Sequence, residues 1–295
     1  MINGWININK PIGISSMKVT STIKRALGVK KAGHAGTLDV LASGVLPIAI
    51  GEATKLIDYS VDQKKEYRFT IQFGKSTETG DAEGAIIAET NIIPSKEDSI
   101  EICNKFIGQI EQIPSKYSAI KINGLPAYKL ARNNIAVQIP KRQIQIFDLK
   151  MLSYDELKKQ STYYCVCSKG TYIRTLAEDL SLALQSLGFV VELERTRAGG
   201  FLIADSISFD DISEINSLKK AFLENNISEI SCVLDDILVI DINEIIAQRL
   251  RFGQEIVIHK SSYNHQVVWL RYEGNLVAIG TLNENHFLSK RVFNL

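Results

Sequence analysis

Gly33-His34-Ala35-Gly36-Thr37-Leu38-Asp39-Val40-Leu41-Ala42-Ser43-Gly44, followed by Val45-Leu46-Pro47-Ile48-Ala49-Ile50, passes from a glycine-punctuated loop into an apolar run of strand length. Glycines at this density permit tight turns and close backbone approach, and the apolar run reads as a buried strand. Glu52–Val61 then reads as a helix with Ala53, Leu56, Ile57 and Val61 inward. Within the loop, Asp39 is the first carboxylate of the chain: residues 1–38 carry Lys10, Lys18, Lys24, Arg25, Lys30 and Lys31 and no acid. A basic segment ending in a lone carboxylate can hold a polyanion beside a reactive acid. A solvated basic helix face is the competing explanation.

Upstream, Trp5–Asn9 alternates as a short strand and Lys10-Pro11-Ile12-Gly13 breaks it. Ser15 and Ser16 are suitable N-caps for a helix with Val19, Ile23, Ala26 and Leu27 on one face and Gly28 as its stop. Downstream, Tyr67, Phe69, Ile71 and Phe73 alternate with polar residues as a half-buried strand, and Lys75–Gly84 reads as a loop. Ser95 can cap a helix ending near Gly108. Between Gln109 and Met151 short strands are expected, with an Asn123-Gly124 turn and a short helix near Tyr128–Arg132. Tyr172–Leu187 has a helical stripe closed by Gly188, Phe189–Leu193 reads as a strand, and Arg195–Gly200 reads as a basic turn. A polar helical stretch follows at about 210–226. After Cys232 the pattern changes to short strands around one helix, Asn243–Arg251, with Glu273-Gly274-Asn275 as a hairpin turn. Strands and helices do not alternate regularly, so the expected class is α+β with a mixed or antiparallel sheet. The expected boundary separates residues 1–232 from 233–295.

A chain of 295 residues with 45% hydrophobic content can bury a full core, and its formal charge of +1 gives no global basic field. Four scattered cysteines, Cys103, Cys165, Cys167 and Cys232, make neither a disulfide framework nor a zinc ligand set, and His34, His259, His265 and His286 are isolated. Neither a signal peptide nor an apolar run of membrane-spanning length is read, so a cytoplasmic protein is expected.

Four segments are more polar or glycine-rich than packing requires: Gly33–Gly44, Lys64–Phe69, Lys169–Thr175 and Leu193–Phe201. GHAGTLDVLASGVLPIAIGEATK closely resembles the catalytic segment of the tRNA pseudouridine synthase B family, whose pattern runs G-H-x-G-x-L-D-P-x-A-x-G-x-L-P. Asn9-Lys10-Pro11, KEYRF, YSAIKINGLPAY, SKGTYIRTLAEDL and RTRAGGF agree in order and spacing across nearly the whole chain. Val40 departs from the family's proline, which frees a φ angle after Asp39.

The resemblance implies a pseudouridine synthase catalytic domain with an RNA-gripping insertion near 76–150. A small C-terminal β-barrel of PUA type follows over 233–295. The implied substrate is the uridine at position 55 in the T-arm loop of tRNA, flipped out of its stack, with no cofactor, no metal and no obligatory protein partner. A monomer is expected. Asp39 is the implied essential carboxylate and Arg174 its ion-pair partner. Tyr67 and Tyr172 line the uracil pocket, and Tyr67 can assist proton removal. His34 lies against the RNA and Leu193 contacts the base. Lys10 and the Lys30–Lys31 pair are candidate phosphate contacts, and Asp81 is a candidate substrate contact. Read from the residues alone, Asp39 could instead cap a turn, Arg174 could meet solvent, and Tyr67 shares a face with core residues. The segment 233–295 has six basic residues against seven acids, so charge does not support its RNA role. Two other classes stay open: the synthase of a guide-RNA ribonucleoprotein, and a non-catalytic RNA-binding or RNA-folding protein.

Overall fold

A computed structural model describes residues 2–118, 120–122, 124–133, 135, 138–210, 217–258 and 265–295. The chain opens with β1 (Gly4–Lys10), α1 (Ser16–Leu27), β2 (Ala32–His34) and β3 (Ser43–Ile50). Ser15 caps α1 by accepting the Lys18 N–H, and Gly28 ends it with a left-handed φ of 67°. The helix expected over Glu52–Val61 is a 3-10 turn, Gly51–Leu56, continued by α2 (Ile57–Asp62). β4 (Lys65–Phe73) leads into a ribbon of β5 (Lys75–Thr77) and β6 (Ile86–Glu89), then α3 (Lys96–Phe106) capped by Ser95. β7 (Gly108–Gln112), the pair β8 (Lys121–Ile122) and β9 (Leu125–Pro126), and α4 (Ala127–Arg132) follow. Asn123 of the expected turn lies outside the described residues.

β10 (Arg142–Asp155) and β11 (Gln160–Cys167) form a long hairpin. After it come α5 (Ile173–Ala183), β12 (Gly188–Ala198), β13 (Phe201–Leu202), β14 (Ile207–Ser208) and α6 (Ser217–Asn225). The first part of the expected 210–226 helix, residues 211–216, is outside the described set. Two expectations are corrected here. The helix stops at Ala183 rather than Leu187, and the strand runs through Arg195 to Ala198, where a basic turn was expected.

A ten-stranded mixed sheet, with the path β14-β1-β3-β12-β4-β11-β10-β7, organises this part. β1 with β14 and β12 with β3 are parallel, and the other pairings are antiparallel. Its strands feed two cores because side chains alternate across the sheet. Ile6, Ile8, Leu46 and Ile48 pack with Val19 and Ile23 of α1, while Phe69, Ile71 and Val190 pack in the same core as Leu176 and Leu180 of α5. Trp5, Val45 and Ala49 face the other way.

The C-terminal part contains β15 (Leu238–Asp241), α7 (Glu244–Arg251), β16 (Ile256–Val257), β17 (Gln266–Tyr272), β18 (Asn275–Asn283) and β19 (His286–Val292). The five strands form a curled sheet ordered β15-β17-β18-β19-β16. Glu273 and Gly274, both at positive φ, make the hairpin turn. Trp269, Leu276, Ile279 and Phe293 share one core with Trp5, Val45, Ala49 and Leu56. The second sheet therefore caps the back of the first. Among the described residues no helix is long and apolar enough to cross a membrane.

Candidate active site

On β4 the row Phe73, Ile71, Phe69 is buried, and Tyr67, next on the same face, is only half-buried. Opposite it on β12, Leu193 pairs with Phe69 and Arg195 with Tyr67. The core ends at these residues and a pocket of about 330 Å³ begins, walled also by the Gly36–Asp39 loop, Ser168–Arg174 and Ser118. Gly44 makes this closure possible. A Cβ there would meet the Arg195 carbonyl oxygen at 2.2 Å, so only glycine lets β3 lie against β12.

Asp39 stands at the pocket wall with its side chain 41% exposed, and its Oδ2 lies 2.9 Å from Arg174 Nε. Arg174 is almost wholly buried. Its Nη1 reaches Asp81 Oδ2 at 3.2 Å and the Thr79 carbonyl at 2.8 Å, and Nη2 donates to the Tyr117 carbonyl at 3.3 Å. One guanidinium thus joins the Gly36–Asp39 loop, the 79–81 turn and the backbone at Tyr117. Asp81 is 2% exposed and accepts from the Thr79 hydroxyl and the Glu83 N–H. It sits behind Arg174 and does not line the pocket, in contrast to the substrate contact considered for it.

Tyr172 lies at the N-terminus of α5 with no side-chain cap. Buried Gln112 brackets its backbone instead, accepting from the Tyr172 N–H at 3.0 Å and donating to its carbonyl at 3.3 Å. The Arg142 guanidinium lies 5.7 Å from the centre of the Tyr172 ring. Burial raises the Tyr172 hydroxyl above its ordinary pKa, against the opposing charge of Arg142. Burial likewise pushes Tyr67 up to about 12, with Arg195 pulling the other way.

His34 is half-buried between Thr20 and Thr37, at 3.0 and 3.1 Å. The Thr20 hydroxyl already donates to the Ser16 carbonyl, so the network assigns Nδ1 as the donor to Thr20 and Nε2 as the acceptor from Thr37. A neutral ring agrees with a pKa lowered by burial and by Arg195. His34 flanks the pocket loop without lining the pocket itself.

The two lysine candidates differ. Lys31 is exposed, on the segment beyond α1, and lies off the pocket. Lys10 is fully buried, and its ammonium donates to the carbonyls of Pro11, Ile14 and Val40. Burial lowers its pKa to about 8. With no exposed face it cannot meet a phosphate, and it ties down the chain on both sides of the pocket loop instead. Val40, the residue in the usual proline's place, has its carbonyl held by Lys10 and by the Gly13 N–H at 2.9 Å.

Sequence reasoning missed Arg195, Lys65 and Gln112. Arg195 is 2% exposed, with Nε donating to the Val45 carbonyl at 2.8 Å and Nη2 to the Gly36 carbonyl at 2.9 Å. Lys65, with its pKa lowered to about 8 by burial, turns its ammonium onto the carbonyls of Ser60, Val61 and Gln63. The available signal was register: both basic residues stand on one face with Tyr67, at strand spacing from the apolar rows.

Comparison with known proteins places the chain in a family. Residues 24–173 match the profile of the TruB family pseudouridylate synthase N-terminal domain. A tRNA pseudouridine synthase B of Rickettsia bellii is 54% identical over 291 residues, covering 99% of this chain and 98% of the relative. One from Rickettsia akari is 51% identical over 296 residues, with full coverage of both. Among solved structures, one from a Cbf5-Nop10-Gar1 complex superposes with a TM-score of 0.75 at 22% identity, covering 99% of this chain and 84% of the other, a likeness of fold alone. The chain belongs to the TruB family of pseudouridylate synthases.

Proposed function

We propose that this protein converts the uridine at position 55 in the T-arm loop of tRNA to pseudouridine, with Asp39 as the essential carboxylate. The carrying observation is the partly open Asp39 carboxylate held by the buried Arg174 at a tyrosine-walled pocket. The reaction breaks the N1–C1′ bond, turns the uracil and joins C5 to C1′, with no net redox change and no group donor. It needs a carboxylate able to attack carbon or to offset positive charge on the sugar. Arg174 holds that carboxylate in place while Asp81 holds Arg174.

A uridine buried in the folded T-arm loop must leave its stack to reach such a pocket. Tyr67, Tyr172 and Leu193 offer ring and apolar surfaces for the extruded base, and recognition is of stem-loop shape plus a few unstacked bases. The relatives' name, tRNA pseudouridine synthase B, supports the substrate class. The curled C-terminal sheet serves as a PUA-type RNA-binding module, Lys30 and Lys31 meet phosphates, and His34 lies against the RNA. The protein works as a cytoplasmic monomer without a cofactor. Purified protein alone should form pseudouridine at position 55 of an unmodified tRNA transcript, detected at base resolution. Activity only after adding partner proteins and a guide RNA would transfer the chain to the ribonucleoprotein class. Binding without conversion would leave a folding protein.

A further inference from the structure

We propose that Arg195 is a positioning residue for Tyr67, supplying the positive charge that lets the phenol oxygen become anionic and accept the C5 proton of the rotated uracil. This rests on reading the site as pseudouridine-forming. Arg195 is buried on the pocket wall yet forms no ion pair among the described residues. Its neighbours do: Arg197 has Glu66 at 3.3 Å, and Arg174 has two carboxylates. A buried charge without a counter-ion is costly, and carbonyl partners offset only part of that cost.

Two of its nitrogens, Nε and Nη2, are directed onto the Val45 and Gly36 carbonyls. Nη1 lies under the loop, where a Cβ on Gly36 would stand 3.2 Å from it. Tyr67 is its register partner on the next strand, both side chains line the pocket, and the Arg195 charge opposes the burial that raises the Tyr67 pKa. The other groups facing Tyr67 are Cys165 and Cys167 from β11, Lys65 from β4, and the Asp39–Arg174 pair across the pocket. Lys65, also without an ion pair among the described residues, directs its ammonium onto three backbone carbonyls, and Arg174 is neutralised by acids, which leaves Arg195, the register partner of Tyr67, as the cation placed beside this side chain.

In the step, the Tyr67 phenolate takes the hydrogen from C5 as a proton. The C–H electron pair forms the C5–C6 double bond, and the C6–N1 π pair moves to N1, which takes a proton from water. The hydroxide so formed removes the phenol proton and restores the phenolate.

The test is single-turnover release of isotopically labelled hydrogen from C5 of tRNA uridine, followed across pH. Arg195→Gln should slow release roughly tenfold or more, the equivalent of one pKa unit or more at Tyr67. The rise of rate with pH should move to higher pH, with tRNA binding retained. Fluorotyrosine at position 67, a more acidic phenol, should restore part of the loss, and in the unsubstituted protein should move the rise to lower pH. Arg195→Lys should keep the wild-type pH profile at a reduced rate, and Arg195→Gln should add nothing to Tyr67→Phe. A loss equal at every pH and unrelieved by fluorotyrosine, or losses that multiply in the double variant, would overturn the proposal and reduce Arg195 to a brace of the loop. Should Arg195→Gln fail to fold, fluorotyrosine in the unsubstituted protein and Arg195→Lys decide by the same criteria. Absence of pseudouridine in the wild type would remove the functional reading itself.

Discussion

Arg174 is shared by two carboxylates, Asp39 and Asp81, and by two backbone carbonyls, which only a planar fork with five donors can serve together. Arg174→Lys keeps the charge but not the fork. Its turnover should fall by about 10²-fold, as for a misplaced reacting group, with tRNA affinity nearly unchanged; a rise in Kd with kcat intact would point to an RNA contact instead. Tyr67→Phe keeps the ring and deletes the hydroxyl, so binding should persist while isomerisation slows by about 10²-fold or more. Wild-type turnover would leave Tyr67 as a wall of the pocket. The segments that hold Asp39, Tyr67, Tyr172 and Arg174 stood out in the sequence because polar and glycine-rich motifs interrupt the apolar pattern, and the family resemblance then singled out the four residues within them. Lys10 was read as a phosphate contact and Arg195 as part of a turn, because their partners are backbone carbonyls, which every residue has and no sequence displays. Arg-Thr-Arg-Ala-Gly-Gly looks like a turn until β3 is known to close on it through Gly44.

At the scale of elements, α1 was legible to its caps, because Ser15 and Gly28 act locally. α5 was legible in its stripe and not in its end. Gln185 takes a φ of 56°, and the Ser186 N–H turns back to the Ser181 carbonyl, before Gly188 enters β12. A Cβ on Gly188 would lie 2.1 Å from Ser181 Oγ, so this glycine serves helix–strand contact rather than helix termination. The same helix carries Glu178, whose pKa is raised to about 7 by burial, then by Asp179, against the pull of Arg174. A carboxylate whose folded pKa lies above its ordinary value of 4.5 costs stability once ionised. Stability is therefore lost as pH rises from 4.5 through 7. Glu178→Gln should melt higher than wild type at pH 8 and match it near pH 4; equal melting at both would show that Glu178 ionises without cost.

At the scale of the molecule, the change of pattern after Cys232 was visible, but the core joining the two sheets was not. Trp5 and Phe293 come from opposite ends of the chain and meet only in the fold. Phe293 is fully buried, with the Lys55 ammonium 5.5 Å from its ring centre and the Val292 carbonyl accepting from Lys55 at 2.8 Å. Phe293→Ala should cost about 3–5 kcal/mol in denaturant unfolding, the range for a buried aromatic. A loss below about 1 kcal/mol would mean that the C-terminal sheet is only loosely docked. Deleting 233–295 should lower the melting temperature of the remainder, because it uncovers Trp5, Val45 and Ala49. The central claim concerns Asp39, whose carboxylate no amide can replace either as nucleophile or as counter-charge. The most direct measurement is pseudouridine formed by Asp39→Asn on an unmodified tRNA transcript, at enzyme excess over a long incubation, with folding and tRNA binding checked in parallel. The account expects a folded variant that binds tRNA and forms no detectable pseudouridine; substantial conversion would contradict it.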